Sequence, residues 1–298
     1  MPVVAVVAHE RKSLGGGLAE LRQVLAEAGH ADPIWHAVPR SREAPKKARE
    51  ALEQGAELVF VWGGDGTVQR CADVLAGTGA AMAIIPAGTA NLLAANLGLP
   101  ADIRAAVRAG LDGCRRPIDT GSANGERFAV MAGAGFDARM IKEADGKLKD
   151  RFGRAAYVYA AARSMTARPV HAVVKVDGSR FFTGRISCVL AGNVGTIVGG
   201  MELFPFAMPD DGLLEFGVVT ARNPVHWART LGRMAFGSAA KSPFVRVTRG
   251  SRLTVRFDRP VRYQLDGGAR KQVTKLRIKV RPSSLRVCVP ADAGRSTR

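Results

Sequence analysis

Glu57-Leu58-Val59-Phe60-Val61-Trp62-Gly63-Gly64-Asp65-Gly66-Thr67 delivers an apolar run straight into glycines, one carboxylate and one hydroxyl. The run has the pattern of a buried strand. Val68 to Leu75, apolar at 68, 71, 72, 74 and 75, has the period of a following helix. Glycines in the turn between them admit positive φ and close backbone approach, so peptide N–H groups and the positive helix end can converge on a polyphosphate. Asp65 is an anion and cannot bind phosphate itself; its work would be to hold a metal ion or orient a hydroxyl. The same residues also allow a plainer arrangement, a Gly-rich turn with Thr67 as N-cap and Asp65 solvated. A second loop of this kind, Ile84-Ile85-Pro86-Ala87-Gly88-Thr89-Ala90-Asn91, precedes a helical pattern from Leu92 to Leu97. Two such loops in successive strand–helix units can face one ligand across the carboxyl edge of a sheet, which favours the phosphate site.

Gly-Gly-Asp-Gly-Thr at 63–67, Pro-Ala-Gly-Thr-Ala-Asn at 86–91 and Asn-Leu-Gly-Leu-Pro at 96–100 resemble the diacylglycerol kinase catalytic-domain family of bacterial lipid kinases, which sphingosine and ceramide kinases share. The resemblance continues through Gly133-Ala134-Gly135-Phe136-Asp137, Leu148 to Tyr157, Asn193, and the stretch from Pro205 to Leu214. It implies an N-terminal NAD-kinase-like α/β domain with Gly-rich phosphate loops and an all-β C-terminal sandwich. It also implies transfer of the ATP γ-phosphoryl group to a lipid hydroxyl, with diacylglycerol as the default acceptor. The implied nucleotide contacts are Gly63, Gly64, Asp65, Gly66, Thr67, Val68 and Gln69, then Gly88 and Thr89. Asp65 would reach a catalytic magnesium through water. A structural magnesium would be held by Asp211 with the backbone carbonyls of Met208 and Leu213, oxygen donors that suit a hard cation.

The chain departs from the family at informative places. Its general base lies in an Asp-Gly-Glu motif, whereas Leu265-Asp266-Gly267-Gly268 stands here. Asp266 is the favoured replacement; Asp137 or Asp65 could serve instead, or turnover could be weak. Asp266-Gly267 between two apolar-alternating runs is also a good hairpin turn. Gln69-Arg70 replaces the usual Asn-Glu, and His9-Glu10-Arg11-Lys12-Ser13-Leu14-Gly15-Gly16-Gly17 replaces an Asn-Pro and Ser-Gly loop. No Gly-x4-Gly-Lys-Ser/Thr occurs, so the cradle relies on backbone N–H groups.

With 298 residues, two domains are expected. Residues 1–117 alternate strands (3–7, 58–62, 82–85) with helices (18–28, 45–53, after each Gly-rich loop, 103–109). Residues 118–284 are strand-dominated, with Asn124-Gly125 and Asp177-Gly178 as hairpin turns. Val245, Val247, Leu253, Val255 and Phe257 alternate with polar residues as half-solvated strands do. Helices are expected over 153–166 and 224–236. The resemblance brings the chain from about Leu285 back to the first domain, and 291–298 reads as a tail. Phe204, Phe206, Ile197, Val198 and Met201 are either an apolar opening for acyl chains or core.

Lys and Arg number 44 against 26 Asp and Glu, a net charge of +18. Such self-repulsion calls for an anionic partner. Aromatic residues are 6% of the chain and no nucleic-acid-binding signature accompanies the charge, so an anionic membrane surface is favoured over nucleic acid. The Met1 to Ala8 run is too short for a signal peptide, and no segment approaches the ~18 apolar residues of a membrane span. The expectation is a cytoplasmic protein, peripherally attached to the inner membrane face, using ATP and Mg2+, with a homodimer possible. Four widely spaced cysteines read as buried free thiols. Two rivals stand beside the lipid kinase: an NAD-kinase-like enzyme, since Gly-Gly-Asp-Gly occurs there too, and a non-catalytic lipid- or nucleotide-binding protein.

Overall fold

The computed structural model describes residues 2–135, 169–197, 201–235 and 242–291. The helix expected over 153–166, Asp137, the 148–157 stretch, Val198 and the tail from 292 lie outside the described residues. The chain forms two compact units, Met1–Thr120 with Pro282–Arg298, and Gly121–Arg281.

In the first unit β1 (Val4–His9), α1 (Gly17–Glu27), β2 (Ile34–Val38), α2 (Ala44–Glu53), β3 (Leu58–Gly63), α3 (Asp65–Leu75), β4 (Ala81–Pro86), α4 (Leu92–Asn96) and α5 (Ile103–Leu111) follow in order. The strands are parallel in the order β2-β1-β3-β4. Every residue of β1, β3 and β4 is buried, as expected for a parallel sheet covered on both faces. Val6, Phe60, Trp62, Ile85, Leu25 and Val107 belong to one of its cores. β2 went unanticipated because its residues are mostly half-buried and Trp35 and His36 blur the alternation. The returning chain pairs Arg286 with Ala81 and Val287 with Met82, parallel to β4.

This order has a consequence for ligands. The chain leaves β1 for β2 on one side, then returns to β3 on the other, so the loops after β1 and β3 diverge. A parallel sheet binds ligands at such a switch point, outside the carboxyl ends of its strands.

The second unit is antiparallel. It contains β6 (Glu126–Phe128), β7 (Met131–Ala134), β8 (Val170–Val176), β9 (Ser179–Ile186), β10 (Cys188–Gly192), short β11 (Thr196–Ile197) and β12 (Met201–Glu202), β13 (Leu214–Val219), α6 (Pro224–Ala235), β14 (Val245–Gly250) and β15 (Arg252–Leu265). The chain passes between the units within β5 (Cys114–Ala123) and β16 (Gly268–Val289). The order is β14-β13-β10-β7-β15-β16, with β8 pairing β15 and β9 pairing β8. Phe128, Phe216, Val174, Val255, Leu276 and Ile278 pack in its core. Asn124-Gly125, Asp177-Gly178 and Asp266-Gly267 each place two successive residues at positive φ, the geometry of type I′ hairpin turns.

Phe204 is fully buried and belongs to the core, whereas Phe206 is 61% exposed. The side chains of Ile197 and Met201 are not described. Cys71, Cys188 and Cys288 are buried thiols, but Cys114 is exposed, contrary to expectation, because it opens an exposed strand end. Among the described residues, no helix is long and apolar enough to cross a membrane.

Candidate active site

Because β1 to β4 are parallel, the loops that follow them share one sheet edge. Gly63 pairs with Pro86 at the end of the β3–β4 ladder, and Ala87 N–H donates to the Gly63 carbonyl at 3.1 Å. The two glycine loops touch backbone to backbone. A Cβ on Gly88 would lie 2.4 Å from Gly64 Cα, and one on Gly64 would lie 3.1 Å from Gly88 Cα. No side chain fits between them, which explains two glycines in separate loops by a single contact.

Helix α3 starts at Asp65, earlier than Val68, with Gly64 as N-cap and no capping side chain. Thr67 N–H already donates to the Gly64 carbonyl at 2.9 Å; the N–H groups ahead of it precede any intrahelical acceptor and form the positive end that an anion would meet. Thr67 is not the cap of the plainer arrangement. It is buried, and its hydroxyl hydrogen-bonds the Ser41 hydroxyl at 3.0 Å, binding in the loop after β2. Nor is Asp65 simply solvated: its Oδ1 accepts the Leu92 N–H at 2.6 Å and so braces the start of α4. Burial raises the Asp65 carboxyl above its usual range, and backbone N–H groups around Leu92 work in the opposite direction.

The second loop is held by a residue to which the sequence assigned no role. Asn91 sits at φ 47, its Nδ2 donates to the carbonyls of Pro86 and Gly88 at 2.9 Å, and its Oδ1 accepts Gly88 N–H at 2.9 Å. The Gly88 N–H is thus committed internally, so Gly88 serves by its close approach, while the exposed Thr89 side chain faces outward. Val68 and Gln69 are buried, and the Val68 N–H is held by the Gly64 carbonyl at 3.1 Å, so neither residue presents a side chain to a ligand.

The loop after β1 supplies a cation. The Trp62 indole Nε1–H donates to the Lys12 carbonyl at 3.1 Å, and Lys12 Cε lies 4.0 Å from where a Gly64 Cβ would stand. His9 is spent on this loop, its Nδ1 accepting Arg11 N–H at 3.3 Å; burial and Lys12 lower its pKa. Lys12 and Asn91 were legible only as members of quoted stretches and Ser41 not at all, since the signal that selects them is their position at one sheet edge.

In the second unit Asp266 is 9% exposed at the β15–β16 turn. Its Oδ2 accepts Ala129 N–H at 2.8 Å, and its Oδ1 accepts Val130 at 3.0 Å and Met131 at 2.8 Å. Asn193 completes this clasp, donating through Nδ2 to the Ala129 carbonyl at 2.9 Å. Three of the carboxylate's roughly four lone-pair positions are filled by these donors. At Gly268, where the family has glutamate, a Cβ would meet an Arg270 guanidinium nitrogen at 2.6 Å. That guanidinium donates to Gly268 O at 2.9 Å and forms a bidentate pair with Glu126. The missing glutamate is therefore matched by an arginine crossing the position it would occupy.

Asp211 Oδ1 accepts Leu213 N–H at 2.9 Å and Oδ2 pairs with Arg249, which lies directly across the ladder from buried Glu215. Burial raises the Glu215 carboxyl, with Arg249 pulling it back. The cation set expected at Met208, Asp211 and Leu213 therefore already has a positive charge on its one carboxylate, and a divalent ion would have to displace it. Among the described residues no cluster of three His, Cys, Asp or Glu side chains could hold a metal.

Comparison with known proteins places the chain in a family and a fold. Residues 8–123 match the diacylglycerol kinase catalytic domain, and residues 130–289 match the YegS C-terminal NAD kinase beta sandwich-like domain. A Pseudomonas aeruginosa protein named "Probable lipid kinase YegS-like" is 36% identical over 84% of this chain and 82% of its own length. A Bacillus subtilis protein named diacylglycerol kinase is 28% identical over 84% and 83%. The crystal structure of a diacylglycerol kinase from Bacillus anthracis superposes with a TM-score of 0.74 at 20% identity, covering 97% of each chain. An NAD kinase from Archaeoglobus fulgidus in complex with ATP gives 0.54 at 13% identity, covering 97% and 95%; at these identities the likeness concerns the fold.

Proposed function

Since the chain belongs to the lipid kinase family that joins a diacylglycerol kinase catalytic domain to a YegS C-terminal NAD kinase beta sandwich-like domain, we propose that it phosphorylates diacylglycerol with ATP to give phosphatidic acid. The observation that carries the nucleotide half is the contact of Gly64 with Gly88 beside the open first turn of α3. Phosphoryl transfer asks little covalent chemistry of a protein; it asks for positioning and charge compensation. The Gly63–Thr67 turn would take the phosphates on the backbone N–H groups that lie ahead of Thr67, whose own N–H is held by the Gly64 carbonyl, with Lys12 as the point charge that a Walker lysine supplies elsewhere. Thr89 would contribute a hydroxyl.

The residues at the α3 terminus fit a cation held at one remove: Asp65 has one oxygen braced by Leu92, so its carboxylate suits water-mediated contact with the magnesium that accompanies ATP. When bound, magnesium offsets the charge that builds on the β- and γ-phosphates. The Asp211 loop does not fit a further structural ion as it stands. Arg249→Ala is expected to lower the melting temperature and to make it rise again with millimolar Mg2+, whereas the wild-type melt without nucleotide is indifferent to EDTA. A wild-type melt that falls with EDTA and depends on Asp211 would return the metal to that loop.

Asp266 is the proposed acceptor-side carboxylate, with at most one lone pair left for a hydroxyl proton. Phe206, exposed on the Asp211 segment, is a candidate contact for acyl chains. The enzyme would work in the cytoplasm, peripherally on the membrane.

Radiolabelled phosphate transfer from ATP-Mg to extracted membrane lipids tests the reading. Labelled phosphatidic acid is the expected product. Label on another lipid alcohol would change the acceptor, label on NAD would favour the small-molecule kinase, and ATP binding without label in any acceptor would favour a binding protein. Within the same assay Lys12→Met is expected to raise the KM for ATP about tenfold, the value of one charge-assisted contact, with kcat little changed because the contact persists through the reaction.

A further inference from the structure

The charge of this chain is not spread evenly. Some basic side chains elsewhere in the described residues meet carboxylates: Lys47 with Glu50, Arg104 with Glu27, Arg249 with Asp211, Arg270 with Glu126. The outer face of the sheet formed by β8, β15 and β16 is different. Leu253, Val255, Leu276, Ile278, Ala172 and Val174 point inward and are buried, so their neighbours in sequence point out. The ladder then sets Arg256 directly opposite Lys275, Arg252 opposite Lys279, and Lys175 in line with Thr254 and Arg277. Arg180 on β9 extends the last row beside Lys175.

Like charges placed directly across a ladder destabilise a sheet. Nothing among the described residues relieves them, as none of Lys175, Arg252, Arg256, Lys275, Arg277 and Lys279 makes an ion pair there. Asp177, at the rim, is turned into the N–H groups of Ser251 and Arg252, and Asp258 lies within the stretch between Arg256 and Val261 where the ladder register shifts. Arg277 above all, with Arg256, pushes the Lys275 ammonium below its usual pKa, the mark of uncompensated positive charge.

We infer that this face docks the protein on an anionic bilayer surface. The inference rests on the lipid-kinase reading for its choice of partner and adds the place of contact. A flat sheet face with long cationic side chains and no aromatic residue in its rows suits a plane of headgroups; single-stranded nucleic acid would want stacking platforms, which these rows lack. The same hairpin carries Asp266 at its turn, away from the charged rows, so docking through the rows leaves the turn uncovered.

Cosedimentation of the full chain with vesicles of phosphatidylglycerol and phosphatidylcholine, without ATP, tests this. Each basic residue near such a surface is worth about fivefold in partitioning. Arg256→Gln/Lys275→Gln/Arg277→Gln is expected to weaken partitioning on the order of 100-fold, and Arg42→Gln/Lys46→Gln/Arg49→Gln, the same change in net charge on the first unit, to leave it nearly unchanged. Pure phosphatidylcholine vesicles should bind neither, and 0.5 M salt should abolish wild-type binding, roughly as screening requires. Equal loss in both triple variants, or no loss in the first, overturns the inference; so does wild-type preference for an RNA oligonucleotide over the anionic vesicles. Thermal melts of the first variant guard against misfolding, and removing like-charge pairs should leave its melt no lower than wild type. Because the readout needs no turnover, absent kinase activity on dispersed lipid with intact vesicle binding would sink the enzyme reading alone, and the reverse pattern the docking face alone.

Discussion

Asp266→Asn is expected to unfold at lower urea concentration and to lose phosphoryl transfer in the same measurement series. The substitution keeps one oxygen but replaces the other by an amide NH2, a donor aimed at backbone N–H groups that the carboxylate accepts from. With the N–H groups of Ala129, Val130 and Met131 satisfied by this carboxylate, a donor facing a donor in a buried site costs about 2–4 kcal/mol. The segment 129–131 should also exchange its amide hydrogens faster. A residue that acted only as general base would behave differently: kcat would fall ~10²–10⁴-fold while the urea midpoint stayed in place. Stability and rate falling together assign Asp266 to holding the turn as well as facing the acceptor; rate alone makes it a base and no more.

The second large effect is expected for Gly88→Ala. Its Cβ would stand 2.4 Å from Gly64 Cα and 2.5 Å from Asn91 Oδ1. The first obstacle is backbone, so no rotamer relieves it and the two loops must part. Overpacking of this kind costs about 1–3 kcal/mol, and displacing a phosphate cradle by an ångström lowers kcat/KM for ATP on the order of 10²-fold. Gly66→Ala supplies the contrast. It lies in the first turn of α3, and its nearest neighbour is Ser41 Oγ at 3.9 Å. There the methyl group should leave the melt unchanged or raised, because alanine is the better helix residue. Any loss of ATP affinity in Gly66→Ala would then come from the ligand's own approach to the helix end. Equal stability and equal ATP kinetics in Gly88→Ala would mean that the loops do not need their contact.

Sequence patterns carried different parts of the structure to different depths. The fully apolar runs at 58–62 and 82–85 specified buried parallel strands because no solvent-facing residue interrupts them, and the Gly-rich turns after them specified close-approaching loops at one sheet edge. Asn124-Gly125 and Asp177-Gly178 specified hairpins, because few residue pairs tolerate two positive φ angles in succession. β2 was missed where half-burial weakens the alternation. The start of α3 was placed three residues late, since glycine and aspartate give no apolar period and only the hydrogen bonds of Thr67 and Val68 to the Gly64 carbonyl mark the true first turn.

Local structure in this chain is therefore written in its local sequence: which segments are strands, which turns are glycine-rich, and that the second half alternates as antiparallel strands do. What only the tertiary structure decided are relations between residues far apart in the chain. Gly64 meets Gly88 because β3 and β4 are neighbours; Lys12 comes beside Gly64 because β1 and β3 pair across the switch point; Asp266 faces 129–131 because β15 pairs β7; and Arg256 faces Lys275 because the β15–β16 register puts it there. A strand's residue types specify that it will pair, but its partner and register follow from burying both faces of the whole sheet at once, and that is a property of the fold.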